Sequence, residues 1–417
     1  MPFLALLYMT AYLDRANVAF ASSPMRANLG FSEVVFGLGS GIFFIGYLVL
    51  EIPGALIVQK YGARKWMSRI LITWGFMTTA VGLVHTAHQF YIARFLLGAA
   101  EAGFFPGLVV YLNQWFKERE RARATSIFIV AAPIALALGS PLSAVILQLD
   151  IMNVASWRWL FILEGVPAVL LGLITLSYMT DSPMQAEWLA ESERLWLANQ
   201  LKREREKRNV VPDAFWWKVF FVPDVILLTL ANLFACMAGY GLTLWLPSGL
   251  EHFGGTAHKA GVAGAWLAFI PYLGAVVGAI VVGWISDKVG NPRLCVCWAF
   301  VAAAICLFLA TQQKTQGMAL FWFTLTESAV FGWIAPFWVL PTLLLSGSPA
   351  AAAIGLINSL GNLGGFAGPF IVGYLLSMNW PFHRAVLTLC GAYVLAAALT
   401  FGVGRQAAET SSGSRVT

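Results

Sequence analysis

The chain is 417 residues long, 59% hydrophobic and only 11% charged, with a formal net charge of +6. A soluble domain carries about 25% charged residues, so this chain cannot cover a water-exposed surface with polar groups, and soluble enzymes, disordered tails and disulfide scaffolds are excluded. The excess of cations is no nucleic-acid footprint either, because the basic residues lie in short loops between apolar runs and not on one face.

A helix crossing the hydrocarbon core needs about 20 mostly apolar residues. Such runs lie at 2–22, 33–59, 66–86, 89–112, 124–147 and 159–180, and again at 223–247, 261–285, 294–311, 317–346, 351–377 and 384–404. They are too long for membrane β-strands and do not alternate. The pattern predicts an all-α integral membrane protein with twelve transmembrane helices in two pseudo-symmetric six-helix bundles. The first bundle covers 1–180 and the second 223–404, joined by a cytoplasmic linker at 181–222 and followed by a tail at 405–417. Within the linker, residues 185–208 mix Trp188, Leu195, Trp196 and Leu201 with charges at helical spacing, which predicts an amphipathic helix on the membrane surface. Ala19-Phe20-Ala21 looks like a cleavage site, but no basic segment precedes it and Asp14-Arg15 interrupts the apolar core, so the first run is a span and not a signal peptide.

Loop cations set the orientation. With the N-terminus inside, the inner side holds nineteen Lys and Arg, among them Lys60, Lys117, Arg119, Arg121 and Arg123, and the outer side holds five, Lys259 among them. That bias places both termini in the cytoplasm, in the inner (cytoplasmic) cell membrane. Cys236, Cys295, Cys297, Cys306 and Cys390 lie in or beside apolar runs and read as small fillers, without zinc-site spacing. His85, His88, His252, His258 and His383 are scattered near span ends. No metal or cofactor is expected, and no enzyme's cluster.

Inside the spans lie Asp14, Arg15, Glu51, Arg94, Glu101, Glu164 and Glu327. A charge in the bilayer is expensive, so it is normally paired, faces a wet cavity and serves function. Arg94 and Glu101 are seven residues apart, two turns along one helix face. If the first and fourth spans adjoin, two acids and two bases meet near the midplane. An arginine offers a planar fork to a carboxylate. Burial disfavours an ionised carboxylate and a nearby arginine favours it, so small changes in access can load or release a proton. Arg15 is therefore the candidate anchor for an anionic substrate, Asp14 and Glu101 the candidate proton carriers, and Arg94 the residue holding the acids in register. The competing view is a structural salt-bridge network, a costly way to lock two helices. Tyr12 shares a face with Arg15, and Tyr47 lies mid-span; both are candidate substrate contacts. Glu164 reads as structural, while Glu51 and Glu327 stay undecided.

Lys60-Tyr-Gly62-Ala-Arg64-Lys65 follows the second span, and Gly283-Trp-Ile-Ser-Asp287-Lys288-Val-Gly290-Asn-Pro-Arg293 follows the eighth. Both place a glycine turn among cations, and Gly62, Arg64, Asp287, Lys288, Gly290 and Arg293 mark this repeated loop. Asp287 is expected to pair with Arg293 or to cap a neighbouring helix. On this loop and the six-plus-six count, the chain resembles the major facilitator superfamily along essentially its whole length. The loop motif is clear in the second half and degenerate in the first. Tyr12-Leu-Asp14-Arg15-Ala-Asn17, Arg94-Phe-Leu-Leu-Gly-Ala-Ala-Glu101 with Pro106, Trp157-Arg-Trp, Tyr240-Gly-Leu-Thr-Leu-Trp245 and Ile357-Asn358-Ser-Leu-Gly-Asn362 make it similar to the anion:cation symporter family of organic-anion carriers. The resemblance implies alternating access between two halves, with the same roles at Arg15, Asp14, Glu101 and Arg94. It also implies that Trp338 and Asn358 line the second half of the site. Asn358 in an apolar run needs a partner, either substrate or another helix. Tyr240 and Asn362 are weaker candidates.

The expected function is import of a small organic carboxylate coupled to protons rather than sodium, by a functional monomer in the lipid bilayer, with no nucleic-acid partner. An exporter or drug:proton antiporter is the alternative, against which Arg15 argues where the drug is a cation. A membrane sensor or membrane enzyme lacks the extra domain or catalytic cluster it would need.

Overall fold

In a computed structural model the chain is almost wholly helical, and the structure describes residues 1–208, 219–251, 261–345 and 347–404. The tail expected at 405–417, the middle of the linker, His252, His258 and Lys259 lie outside the described residues, as do the side chains of Lys60, Arg119, Arg121 and Arg123. Six passes are made by α1 (Pro2–Leu29), α2 (Glu33–Tyr61), α3 (Ala63–Gly82), α4 (Ala87–Glu101) with α5 (Phe104–Trp115), α6 (Glu118–Ile146) and α7 (Ser156–Tyr178). After α8 (Glu191–Arg208) come six more: α9 (Pro223–Glu251), α10 (Val262–Val289), α11 (Pro292–Thr311), α12 (Gln316–Gly332) with α13 (Ile334–Leu344), α14 (Gly347–Ser377) and α15 (Phe382–Gly402). Nine passes, among the described residues, are long and apolar enough to cross a membrane; α1, with Asp14, Arg15 and Asn17 in its middle, is not one of them. Ile92, Val277 and Trp298 stand exposed on the outside of the bundle, a surface that suits lipid and not water.

Helix pairings repeat between the halves. Packing of α3 on α7, α2 on α4 and α1 on α6 in the first half recurs as α11 on α15, α10 on α12 and α9 on α14 in the second. The halves meet through α2 against α14 and α6 against α10, again an equivalent pair. Small residues allow the close approaches. A Cβ on Gly98 would lie 1.9 Å from the Phe43 carbonyl oxygen, and one on Gly278 would lie 2.0 Å from that of Ser328, so α4 presses on α2 as α12 presses on α10.

Two expectations need correction. The runs 89–112 and 317–346 are broken, at Ala102–Gly103 and at Trp333. Pro106 and Pro336 sit in the first turns of α5 and α13, where they supply no N–H to the carbonyl four residues back and so end the preceding helix. The linker helix starts at Glu191, not at 185. Glu193 reaches back to accept from the Ala190 N–H at 3.1 Å, fixing the helix start there. Trp188 stacks on Trp115 with centroids 5.7 Å apart, so the linker docks on the end of α5.

Candidate functional site

Asp14 and Arg15 are successive residues of one helix, so they point about 100° apart. Arg15 turns toward α4. Its Nε donates to Glu101 Oε1 at 2.7 Å, and its Nη2 forms an ion pair with the same oxygen at 2.6 Å. Glu101 is the last residue of α4, where the helix end carries partial negative charge that also suits a cation. Its Oε2 is buried without a partner. Arg15 Nη1 donates to the Tyr240 hydroxyl at 3.4 Å, across to the second half. Tyr12, Phe43 and Tyr47 put their rings around the guanidinium, with centroids 5.6, 5.7 and 5.1 Å away. Beside it lies a cavity of about 40 Å³, lined from both halves by Tyr12, Arg15, Arg94, Tyr240, Thr243 and Phe331 among others. That is room for a water or two, so the site here is collapsed around its own side chains.

The four charged residues lie within electrostatic reach of one another, but only Arg15 and Glu101 are directly paired. Asp14 faces α3, where it accepts from the Trp74 indole N–H at 2.8 Å, and it also accepts from the Asn17 amide of its own helix at 2.9 Å. Arg94, 1% exposed, grips backbone: its Nε and Nη2 donate to the carbonyls of Gly39 and Ser40 at 3.4 and 3.3 Å. It lies over Phe43 at 4.9 Å and hydrogen-bonds neither acid, but Asp14 and Glu101 both lie within its electrostatic reach. Arg15–Glu101 is thus the ion pair of the site.

In the second half, Tyr240 is brought to Arg15. Trp338 is not: it packs edge-on to Phe337 and does not line the cavity. Asn358 does have a partner, Glu51 of the other half. Its Nδ2 donates to Glu51 Oε1 at 2.5 Å, and Ser359 Oγ donates to Oε2 at 3.0 Å. Asn362, one turn on, is buried beside the same carboxylate. Glu327 is buried with neither oxygen partnered, and Glu164 meets Ser143 at 3.5 Å.

The repeated loop behaves differently in its two copies. Gly62 has φ +87°, and a Cβ there would lie 2.9 Å from Asp181, whose carboxylate accepts from the Arg64 N–H at 2.7 Å and so caps α3. Asp287 makes no ion pair with Arg293; Arg293 Nη1 instead donates to the Val403 carbonyl at 2.5 Å, the last-turn carbonyls being better placed for it. Gly290 turns the chain with φ +66°. Glu251 escaped the sequence reading, although it ties the halves together by accepting from Ser23, while its other oxygen accepts from the Gly261 N–H at 2.6 Å. Neither Trp74 nor Glu251 could be told from its sequence neighbours, because each acquires its partner only on folding.

Two equivalent six-helix halves closing on a charged cavity in their interface define a secondary transporter, not an enzyme. The chain belongs to the Major Facilitator Superfamily, whose family model matches residues 4–369. It is 39% identical over 411 residues to a protein of Agrobacterium vitis named as a tartrate transporter, covering 98% of this chain and 93% of that one. It is 36% identical over 417 residues to the inner membrane transport protein RhmT of Escherichia coli K12, covering 98% and 95%. A quinolone resistance transporter of Acinetobacter baumannii is 38% identical over 375 residues, covering 90% and 86%. Among solved structures, a bacterial homologue of the human lysosomal transporter Spinster superposes with a TM-score of 0.74 at 18% identity, covering 97% of this chain and 96% of that one. The xylose transporter XylE of E. coli superposes with a TM-score of 0.73 at 16% identity, covering 96% of each.

Proposed function

We propose that the protein is a proton-coupled importer of a small organic carboxylate, working by alternating access between halves at 1–180 and 223–404 in the inner membrane, with both termini cytoplasmic. The observation that carries this is the arginine in the interface: Arg15 meets Glu101 of its own half and Tyr240 of the other. In this scheme the substrate carboxylate takes Arg15 from Glu101, and Glu101, freed of its arginine in a low-dielectric site, takes a proton. Proton uptake and anion binding are thereby linked. Asp14, held by Trp74 and Asn17, carries a second proton between α1 and α3. Tyr12 and Tyr47 shape the substrate pocket, Arg94 braces α4 against α2, and the Gly62–Arg64 and Asp287–Arg293 loops hinge the cytoplasmic side. The coupling ion is the proton rather than sodium, and the monomer is the working unit. The likeness to relatives named for tartrate and quinolones supports small carboxylate-bearing molecules as the substrate class.

Purified protein in liposomes tests this. Under an inward proton gradient, tartrate or a related acid accumulates, and Asp14→Asn and Glu101→Gln each abolish accumulation. Uptake indifferent to the gradient overturns proton coupling, and full accumulation by both variants overturns their assignment. Export is the second reading, favoured by the quinolone resistance relative. It predicts that an outwardly directed load of carboxylate leaves the vesicles in exchange for protons.

A further inference from the structure

Two sets of donors around this interface can hold an anion, and each is already held by a carboxylate of the protein. Arg15 is held by Glu101. The amide of Asn358 and the hydroxyl of Ser359 are held by the two oxygens of Glu51, at 2.5 and 3.0 Å. Glu51 is 4% exposed and belongs to α2 of the first half, whereas its donors belong to α14 of the second. It lies one turn along α2 from Tyr47, whose ring carries the Arg15 guanidinium at 5.1 Å, and within electrostatic reach of Arg15. Side chains so spaced have Cβ atoms about 6 Å apart, so Tyr47 stands between the two donor sets, while the small cavity beside Arg15 stops short of Asn358 and Ser359.

We propose that Glu51 is a built-in stand-in anion: it occupies Asn358 and Ser359 in the unloaded carrier, and the organic anion must displace it to reach them. This rests on the reading of the protein as an organic-anion carrier. Buried donors without an acceptor are costly. An empty carrier therefore needs something in place of the substrate's carboxylate, and Glu51 supplies the same pair of acceptor oxygens. Because the stand-in comes from the opposite half, satisfying the donors also draws α2 and α14 together. Empty carriers can then change conformation with their donors satisfied, and loaded carriers do so with the substrate in the same place. Glu51 is a positioning residue that acts through Asn358 and Ser359, competing with the anion for them.

Competition predicts effects of opposite sign at two residues in direct contact. Binding of tartrate, malate and succinate to purified protein is measured by calorimetry for wild type, Glu51→Ala, Glu51→Asp and Asn358→Ala. Glu51→Ala binds the anion more tightly, by roughly tenfold, the scale of one displaced charged hydrogen bond. Asn358→Ala binds it more weakly by a similar factor, and Glu51→Asp, which keeps the carboxylate, stays near wild type. In liposomes Glu51→Ala retains exchange of internal for external anion but loses net uptake, because only net uptake requires the empty carrier to return. Weaker binding in both Glu51→Ala and Asn358→Ala overturns the inference, since the two then act as one structural bridge. Unchanged affinity in Glu51→Ala, with wild type binding normally, overturns it alone. Failure of wild type to bind any of the three acids overturns the carrier reading and this inference with it. If Glu51→Ala does not yield folded protein, Glu51→Gln, which keeps the shape but only one acceptor oxygen, serves the same comparison.

Discussion

At the scale of single residues, Arg15 is the joint of the site because it touches both halves and the last residue of α4. Its Nε and Nη2 converge on one oxygen of Glu101, a geometry that a fork provides and a point charge does not. Lysine keeps the charge but has neither the second donor nor a flat face for the rings of Tyr12, Phe43 and Tyr47. Arg15→Lys should therefore lose a charged hydrogen bond worth roughly 1.5–3 kcal/mol, weakening carboxylate binding about tenfold to a hundredfold while the protein stays folded. Calorimetry beside a thermal melt separates the two effects, and wild-type affinity in the variant removes Arg15 as the anchor. Arg15 and Glu101 were legible in the sequence because a charge in an apolar run is conspicuous, and Tyr12 because it shares a helix face with Arg15. Glu51 was equally conspicuous, but its partners lie some three hundred residues away, and nothing local pointed to them. Trp74 was hidden for the opposite reason, being one aromatic among many until Asp14 accepts its indole N–H.

At the scale of elements, the broken pass α4–α5 puts Glu101 where it is needed. A continuous helix would carry residue 101 on regularly into the next turn; the break ends α4 at Glu101 instead. Gly103 makes the break possible, with φ +85° and with a would-be Cβ only 3.0 Å from the Gly54 Cα of α2. Gly103→Ala meets both objections, since a left-handed backbone costs a residue with a Cβ about 1–2 kcal/mol before the contact with α2 is counted. The expected result is a lower unfolding temperature and reduced uptake, because α4 cannot settle on α2 without moving Glu101. An unaltered melt and full uptake would show that the break does not depend on this glycine. Hydropathy revealed the spans because twenty apolar residues are a demand of the bilayer itself. It could not reveal the breaks, which change no residue's polarity. Pro106 and Pro336 were the available signals, and both mark their break from within the following helix.

At the scale of the molecule, the described contacts between halves are unevenly distributed. At the end where α1 runs into α2, Ser23 donates to Glu251, Ser140 to the Ala265 carbonyl, and Gly37 and Gly41 of α2 lie against the backbone of α14 at Pro369 and Phe366. Further along come Arg15–Tyr240 and then Glu51 with Asn358 and Ser359. With both termini inside, the orientation proposed above, the α1–α2 end lies outside and this conformation is sealed on the outer side of the site. A carrier that works by alternating access must break that seal in every cycle. Replacing Ser23 and Glu251 by cysteine, in a background where the five native cysteines are alanine, allows the seal to be stapled with a short, reducible bifunctional thiol reagent. Stapling should abolish net uptake and exchange alike, because the site can no longer open outward, and reductant should restore both. Binding of the anion from the inner side, measured on inside-out vesicles at equilibrium, should survive the staple. Uptake that continues while the two positions are cross-linked would mean that the halves do not separate at this end during transport.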